Sequence, residues 1–184
     1  MQKKLKIALG LSLLTGIMTG CSTTTPKTEH SMQNGHHTTV YLVNAQGSAA
    51  AIGEINFSDT TQGLKIETQL RDLPPGPHGF HIHENASCAP AEKDGKMGAA
   101  LAAGSHYNPH QAPQHGTPMT GHLGDLPLLL VDNNGTAHQT LYAPRLKMAD
   151  LHGRTIMIHA GGDNYADTPK PLGGGGDRIA CGVL

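Results

Sequence analysis

The 184-residue chain has no tryptophan, two phenylalanines and four tyrosines. So few aromatics, beside 24 glycines and 12 prolines, favour short strands and turns over long helices. No sign of charge is in excess, with 13 Lys and Arg against 14 Asp and Glu, and no basic stripe interleaved with aromatics runs through the sequence. A nucleic-acid binder is therefore not expected. Long hydrophobic runs are missing as well: the one sizeable apolar stretch, Ile7 to Met18, is too short to span a bilayer comfortably. Cysteine is scarce, at three. What remains is long enough for one ordinary domain with a proper core.

Lys3, Lys4 and Lys6 precede the apolar run, which ends in small residues before Cys21, so residues 1–20 read as an export signal and are set aside from the fold. Met18-Thr19-Gly20-Cys21 resembles the lipobox of bacterial lipoproteins, although leucine is commoner where Met18 stands. The resemblance implies lipidation of Cys21, a membrane anchor, and a place in the periplasm or cell envelope as a lipoprotein; Ser22 is compatible with the outer membrane. Plain secretion is the alternative. Without the three signal lysines, 10 basic residues stand against 14 acidic ones, a formal net charge of −4. Cys88 and Cys181 are then an even pair in an exported chain, where a disulfide persists; two free buried thiols are the alternative. Residues 21–37, polar and without apolar periodicity, read as a flexible tether. Its His30, His36 and His37, with Met32, suggest a copper-capturing arm, and a polar linker that merely contains histidine is the competing reading.

From Thr38 to Leu184 the pattern becomes that of one all-β domain. Period-two, β-branched segments predict strands at residues 38–44, 50–58, 63–71, 78–84, 127–131, 136–143, 154–160 and 178–183. Eight short strands imply an antiparallel sandwich or flattened barrel. Two long segments, residues 85–126 and 161–177, carry no strand pattern and are expected to be functional loops.

Chemistry concentrates around Gly79-Phe80-His81-Ile82-His83-Glu84. In a strand His81 and His83 share one face while Phe80 and Ile82 pack on the other. That is half of a metal site. The first long loop adds His106, His115, His122 and Asp125, of which the last three lie close together and supply N and O donors suited to zinc. The predicted strand at residues 154–160 adds His159, and His106 could serve two metals, since a deprotonated imidazole offers both nitrogens.

With these motifs, and with His106-Tyr107-Asn108-Pro109, His122-Leu123-Gly124-Asp125, Ile158-His159-Ala160-Gly161-Gly162-Asp163-Asn164-Tyr165 and Gly176-Asp177-Arg178-Ile179-Ala180-Cys181, the chain resembles bacterial copper-zinc superoxide dismutases from about Val40 onward. The resemblance implies a Greek-key fold, with copper on His81, His83, His106 and His159 and zinc on His106, His115, His122 and Asp125. It further implies that Asp163 links a copper ligand to a zinc ligand, that Arg178 is the active-site arginine, and that Cys88 pairs with Cys181. The His115 to His122 segment is shorter than in many relatives. Superoxide is the implied substrate, disproportionated to dioxygen and hydrogen peroxide, with Arg178 and Lys170 steering the anion. His78, His110, His138 and His152 match no ligand position and are expected to face solvent. A copper-buffering or copper-delivery protein on the same fold, and a zinc hydrolase, are the alternatives; monomer and homodimer both fit.

Overall fold

The computed structural model describes residues 35–184. The expected signal, Cys21, His30 and Met32 lie outside the described residues. The strands are β1 (His36–Asn44), β2 (Gly47–Thr60), β3 (Gly63–Leu70), β4 (Gly76–His78), β5 (Phe80–His83), β6 (Ala91–Lys93), β7 (Lys96–Gly98), β8 (Leu129–Val131), β9 (Ala137–Ala143), β10 (Thr155–His159) and β11 (Arg178–Val183). Seven of them form one curled antiparallel sheet, in the order β5-β10-β11-β1-β2-β3-β9, while β4 pairs with β8 and β6 with β7. This is the expected class, an all-β half-barrel.

Each of the eight predicted strands has a counterpart, yet the count differs for two physical reasons. The segment predicted at residues 78–84 is broken at Gly79, whose N–H donates to Gly161 O (2.7 Å) and whose carbonyl accepts from His159 N–H (2.9 Å). Upstream of that break the chain pairs with β8, downstream with β10. The second reason is a small hairpin, β6–β7, inside the long loop where no strand was expected. The tether reading is also too long by two residues, because His36 and His37 already pair with Phe57 and Asn56 in the sheet.

Alternation sets the core. On β3, Leu64, Ile66, Thr68 and Leu70 turn inward and the residues between them turn outward. On β2 the inward set changes phase between Ile52 and Ile55, and the pairing with β1 slips at the same place. The bulge needs Gly53: φ is 134° there, and a Cβ would collide with the backbone of Gln69. Phe80 and Ile82 on β5, with Ile156 and Ile158 on β10, join the main core. The opposite face of β5 and β10 is buried too, because the two long loops fold over it. Cys88 and Cys181 form a disulfide with a Cα–Cα distance of 5.8 Å, which staples the first loop to β11. Closing a chain segment of that length contributes about 4 to 5 kcal/mol in the chain-entropy description.

Candidate metal centre

His81 and His83 lie on one face of β5, and antiparallel pairing places Met157 opposite His81 and Thr155 opposite His83. His159, two residues beyond Met157, therefore shares that face. Edge strands expose unpaired backbone groups, and β5 uses its free edge to recruit the first loop. Ile82 N–H donates to Gly124 O (2.9 Å), Tyr107 N–H to Ile82 O (2.8 Å), and Gly124 N–H to Tyr107 O (2.8 Å). Those three bonds bring His106 beside His83 and Asp125 beside His81.

Each ring then turns one nitrogen to a protein partner and the other inward. His81 Nε2 is 2.8 Å from Asp163 Oδ2, His83 Nδ1 is 3.0 Å from Gly104 O, and His159 Nδ1 is 3.1 Å from Gly176 O. His106 Nδ1 is 2.9 Å from Asp125 Oδ1. The inward atoms include His81 Nδ1 and His106 Nε2, both buried without any hydrogen-bond partner. His83 Nε2 and His159 Nε2 face each other at 3.4 Å. All four rings are buried, and ligand atoms of the set lie within 4.8 Å of one another.

The second cluster surrounds one carboxylate oxygen. Asp125 Oδ1 lies 2.9 Å from His106 Nδ1, 3.0 Å from His115 Nδ1 and 3.4 Å from His122 Nδ1. Edges of about 3.3 Å are what tetrahedral zinc with bonds of about 2.0 to 2.1 Å requires. His81 also lies close enough to count in this group by distance. Its two nitrogens are already committed, however, one to Asp163 and one to the first cluster, whereas His122 Nδ1 is buried with no partner. His122 Nδ1, 3.4 Å from Asp125 Oδ1, is thus a donor left free to complete this group. Asp125 Oδ2 is fixed by the N–H groups of Gly116 (3.0 Å) and His122 (2.8 Å).

Asp163 ties the two clusters together, with Oδ1 2.8 Å from His115 Nε2 and Oδ2 2.8 Å from His81 Nε2. The second loop carries it on a tightly folded path. Tyr165 N–H donates to Asp163 Oδ1 (2.7 Å), and Tyr165 Oη accepts from Leu128 N–H (3.0 Å). Asp167 accepts from His115 N–H (3.0 Å) and Leu172 N–H (3.0 Å). Gly173 closes over the carboxylate with φ 71°, and a Cβ there would strike both Asp163 Oδ1 and His115 Nε2. Tyr165 entered the sequence reading only as the end of a family motif, and neither it nor Asp167 nor Gly173 was given a role there, because their contacts to distant backbone groups leave no spacing signal.

Burial is the leading influence on the first cluster. It lowers His81 and His83 well below the usual imidazole value and His159 to about 4, with neighbouring imidazoles acting in the same sense. His106 is lowered too, mainly by burial, against the opposing pull of Asp125. His115 behaves differently. Burial acts to lower it, but the adjoining carboxylates of Asp125 and Asp163 prevail and raise it to about 9. Burial acts to raise Asp125, and hydrogen bonds from His106, His115 and Gly116 N–H hold it far below the carboxylate range instead.

The first cluster opens onto a cleft of about 700 Å³ whose lining includes His83, His106, His159, Lys170 and Arg178, together with Lys93 from the unexpected hairpin. Arg178 donates from its two terminal nitrogens to Ala100 O and Gly104 O. Gly104 O is also the partner of His83, so the guanidinium and that ring are braced by one carbonyl. Among the histidines expected to face solvent, His110, His138 and His152 do so. His78 does not: it is buried, with Nδ1 2.7 Å from His159 O and Nε2 2.7 Å from Pro74 O. It braces the end of β10, a role that a ligand pattern cannot reveal.

Two adjoining donor clusters that meet at His106, on an antiparallel half-barrel, are the layout of a protein built to hold two metal ions. Comparison with known proteins carries this to a family. The description "Copper/zinc superoxide dismutase (SODC)" fits residues 51–184. The Superoxide dismutase [Cu-Zn] of Escherichia coli strain K12 is 51% identical over 145 residues, covering 78% of this chain and 84% of that protein. The solved Cu/Zn superoxide dismutase from Brucella abortus shares 46% identity and superimposes with a TM-score of 0.80, over 82% of this chain and 99% of that one. The monomeric copper, zinc enzyme from Salmonella enterica shares 52% identity with a TM-score of 0.73, over 81% and 98% of the two chains. The chain belongs to the copper/zinc superoxide dismutase family. It is an oxidoreductase that disproportionates superoxide, with copper and zinc as its metals.

Proposed function

We propose that His81 Nδ1, His83 Nε2, His106 Nε2 and His159 Nε2 hold copper, and that His106 Nδ1, His115 Nδ1, His122 Nδ1 and Asp125 Oδ1 hold zinc. The observation that carries this assignment is the set of buried ring nitrogens without partners, His81 Nδ1, His106 Nε2, His115 Nδ1 and His122 Nδ1, each aimed into one of the two clusters. Buried polar atoms are rarely left unsatisfied unless something absent completes them. Bound copper supplies one-electron chemistry, so that two superoxide anions and two protons become dioxygen and hydrogen peroxide.

The protein's own groups do the rest. His106 lines the cleft, and its Nε2, whenever free of copper, would hold a proton and pass it to the product, while Nδ1 stays beside Asp125 Oδ1. Asp163 orients His81 and His115 in one stroke. Arg178, braced by two carbonyls, keeps further N–H groups for an incoming anion, since a guanidinium has five donors. The mature chain is net negative, so attraction of superoxide must be local, from Arg178 and Lys170 at the cleft. Arg178→Glu is expected to slow the reaction and change its salt dependence; an unaltered rate at every ionic strength would remove Arg178 as a guide.

Lipidation at Cys21 would hold the domain in the cell envelope, with the outer membrane as its site and protection of the envelope from superoxide as its role. The lipobox-like Met18 to Cys21 supports this. Unchanged lipid labelling and membrane partitioning of Cys21→Ala would overturn it. The activity itself is tested by superoxide decay with the chain carrying both metals, against the zinc-only form. Fast decay that needs copper is expected; stoichiometric copper without decay would point to metal storage or delivery.

A further inference from the structure

We propose that Arg145 is a positioning residue for the zinc ligands and acts above all through the peptide group joining Gly121 to His122. Arg145 follows β9, on a segment held rigidly by the core. Its neighbour Leu146 is buried, takes Leu64 N–H on its carbonyl (3.0 Å) and donates its own N–H to Ala143 O (3.2 Å). From that base the guanidinium reaches across to the zinc-side loop. Nε–H donates to Pro118 O (2.7 Å), and Nη2 donates to Gly121 O (2.9 Å) and His122 O (2.8 Å).

These three carbonyls come from the bend between His115 and Asp125. Among the described residues, Pro118 O and Gly121 O have no other hydrogen-bond donor. Gly121 C=O and His122 N–H are the two ends of one peptide group, and that N–H donates to Asp125 Oδ2 at 2.8 Å. The peptide is therefore held between a permanent cation at its oxygen and a carboxylate at its N–H, and both polarise it in the same sense. Fixing Oδ2 in this way leaves Oδ1 turned to the Nδ1 atoms of His106, His115 and His122. A planar fork suits this task, since one group must satisfy several carbonyls of a loop that lacks regular structure. Arg145 makes no hydrogen bond to His81, His83 or His159, so its influence should fall on one half of the centre.

The inference rests on the zinc assignment above, and the test separates the two. Zinc and copper affinities of the full chain and its Arg145→Met and Arg145→Lys variants are measured by competition with chromophoric chelators. Cobalt(II) in the zinc position reports geometry through its d–d spectrum. For Arg145→Met, zinc binding is expected to weaken about 10- to 100-fold, the usual effect of losing a group behind a metal ligand, with copper binding unchanged. Arg145→Lys, which keeps the charge but not the fork, should show a smaller zinc loss and a perturbed cobalt spectrum. It carries the test if Arg145→Met does not fold. Zinc bound as tightly by the variants as by the parent, or equal losses at both metals, would overturn the role of Arg145. A parent that binds no zinc would overturn the zinc assignment itself.

Discussion

His81, His83 and His159 project from two paired strands whose register fixes their spacing, whereas His115, His122 and Asp125 come from a segment with no regular secondary structure. The two halves are consequently held in place by different means. On the strand side, ladder hydrogen bonds and the core residues Phe80, Ile82, Ile156 and Ile158 do the positioning, and each ring needs one partner for its outer nitrogen. The loop side depends on individual contacts: Asp163 on His115, Asp167 on the His115 backbone, and two N–H groups on Asp125 Oδ2. On the proposed assignment, the catalytic metal gains a preorganised bed, and the structural metal completes a loop that its ligands help to build.

The largest effect should come from removing what the halves share. His106→Ala is expected to weaken both metals and lower the dismutation rate by more than about 100-fold, beyond the range for groups that only support a ligand. Loss confined to one metal, seen in paired chelator titrations, would mean that His106 serves one site alone. Asp163→Asn puts an amide where two rings need an acceptor. Both affinities should fall by about 10- to 100-fold, and a fall at one metal only would break the symmetry assigned to this residue.

Protons sharpen the contrast. Metal-free His115 sits at about 9 and therefore carries a proton at neutral pH, while His159 at about 4, and His81 and His83, which burial lowers well below the usual imidazole value, do not. Zinc alone should release about one proton at a pH of about 7 to 8, and copper alone about none, as read by calorimetry in buffers of different ionisation enthalpy. Equal release would contradict the difference. The same values set the pH dependence of metal-free stability. A histidine whose folded value is depressed contributes fully above the unfolded value of 6.5 and loses that contribution as pH falls toward 4, so His159 destabilises the fold across that window. His115, whose folded value is raised, contributes below 6.5 and is lost as pH climbs through about 9. Metal-free melting temperatures should therefore decline on both sides of a broad neutral maximum; a monotonic rise toward acid pH would contradict this.

Gly173→Ala forces a side chain into the left-handed region and against Asp163. A cost of about 1 to 3 kcal/mol is expected, with zinc retention impaired more than copper retention. Unchanged melting and unchanged zinc would show that the second loop simply shifts aside.

How much of this was legible beforehand follows the same division. His-x-His on a period-two segment, and a histidine ending another such segment, announce their shared face in the sequence, because strand geometry is regular enough to project. The loop ligands could be named from their residue types and from family resemblance, but not placed, since no periodicity governs residues 85–126. The hairpin β6–β7 did carry a turn signal, Asp94-Gly95, with both residues at positive φ. Its arms, Ala91–Lys93 and Lys96–Gly98, are three residues each and too short to register as strands. His78 escaped because burial of a polar ring between two carbonyls depends on partners distant in sequence.

Anomalous diffraction from crystals of the metal-loaded protein, collected at the copper and zinc absorption edges, tests the division most directly. The expected result is two separate peaks: copper among His81 Nδ1, His83 Nε2, His106 Nε2 and His159 Nε2, and zinc among His106 Nδ1, His115 Nδ1, His122 Nδ1 and Asp125 Oδ1. A single shared peak, or zinc bound with His81 in place of His122, would contradict it.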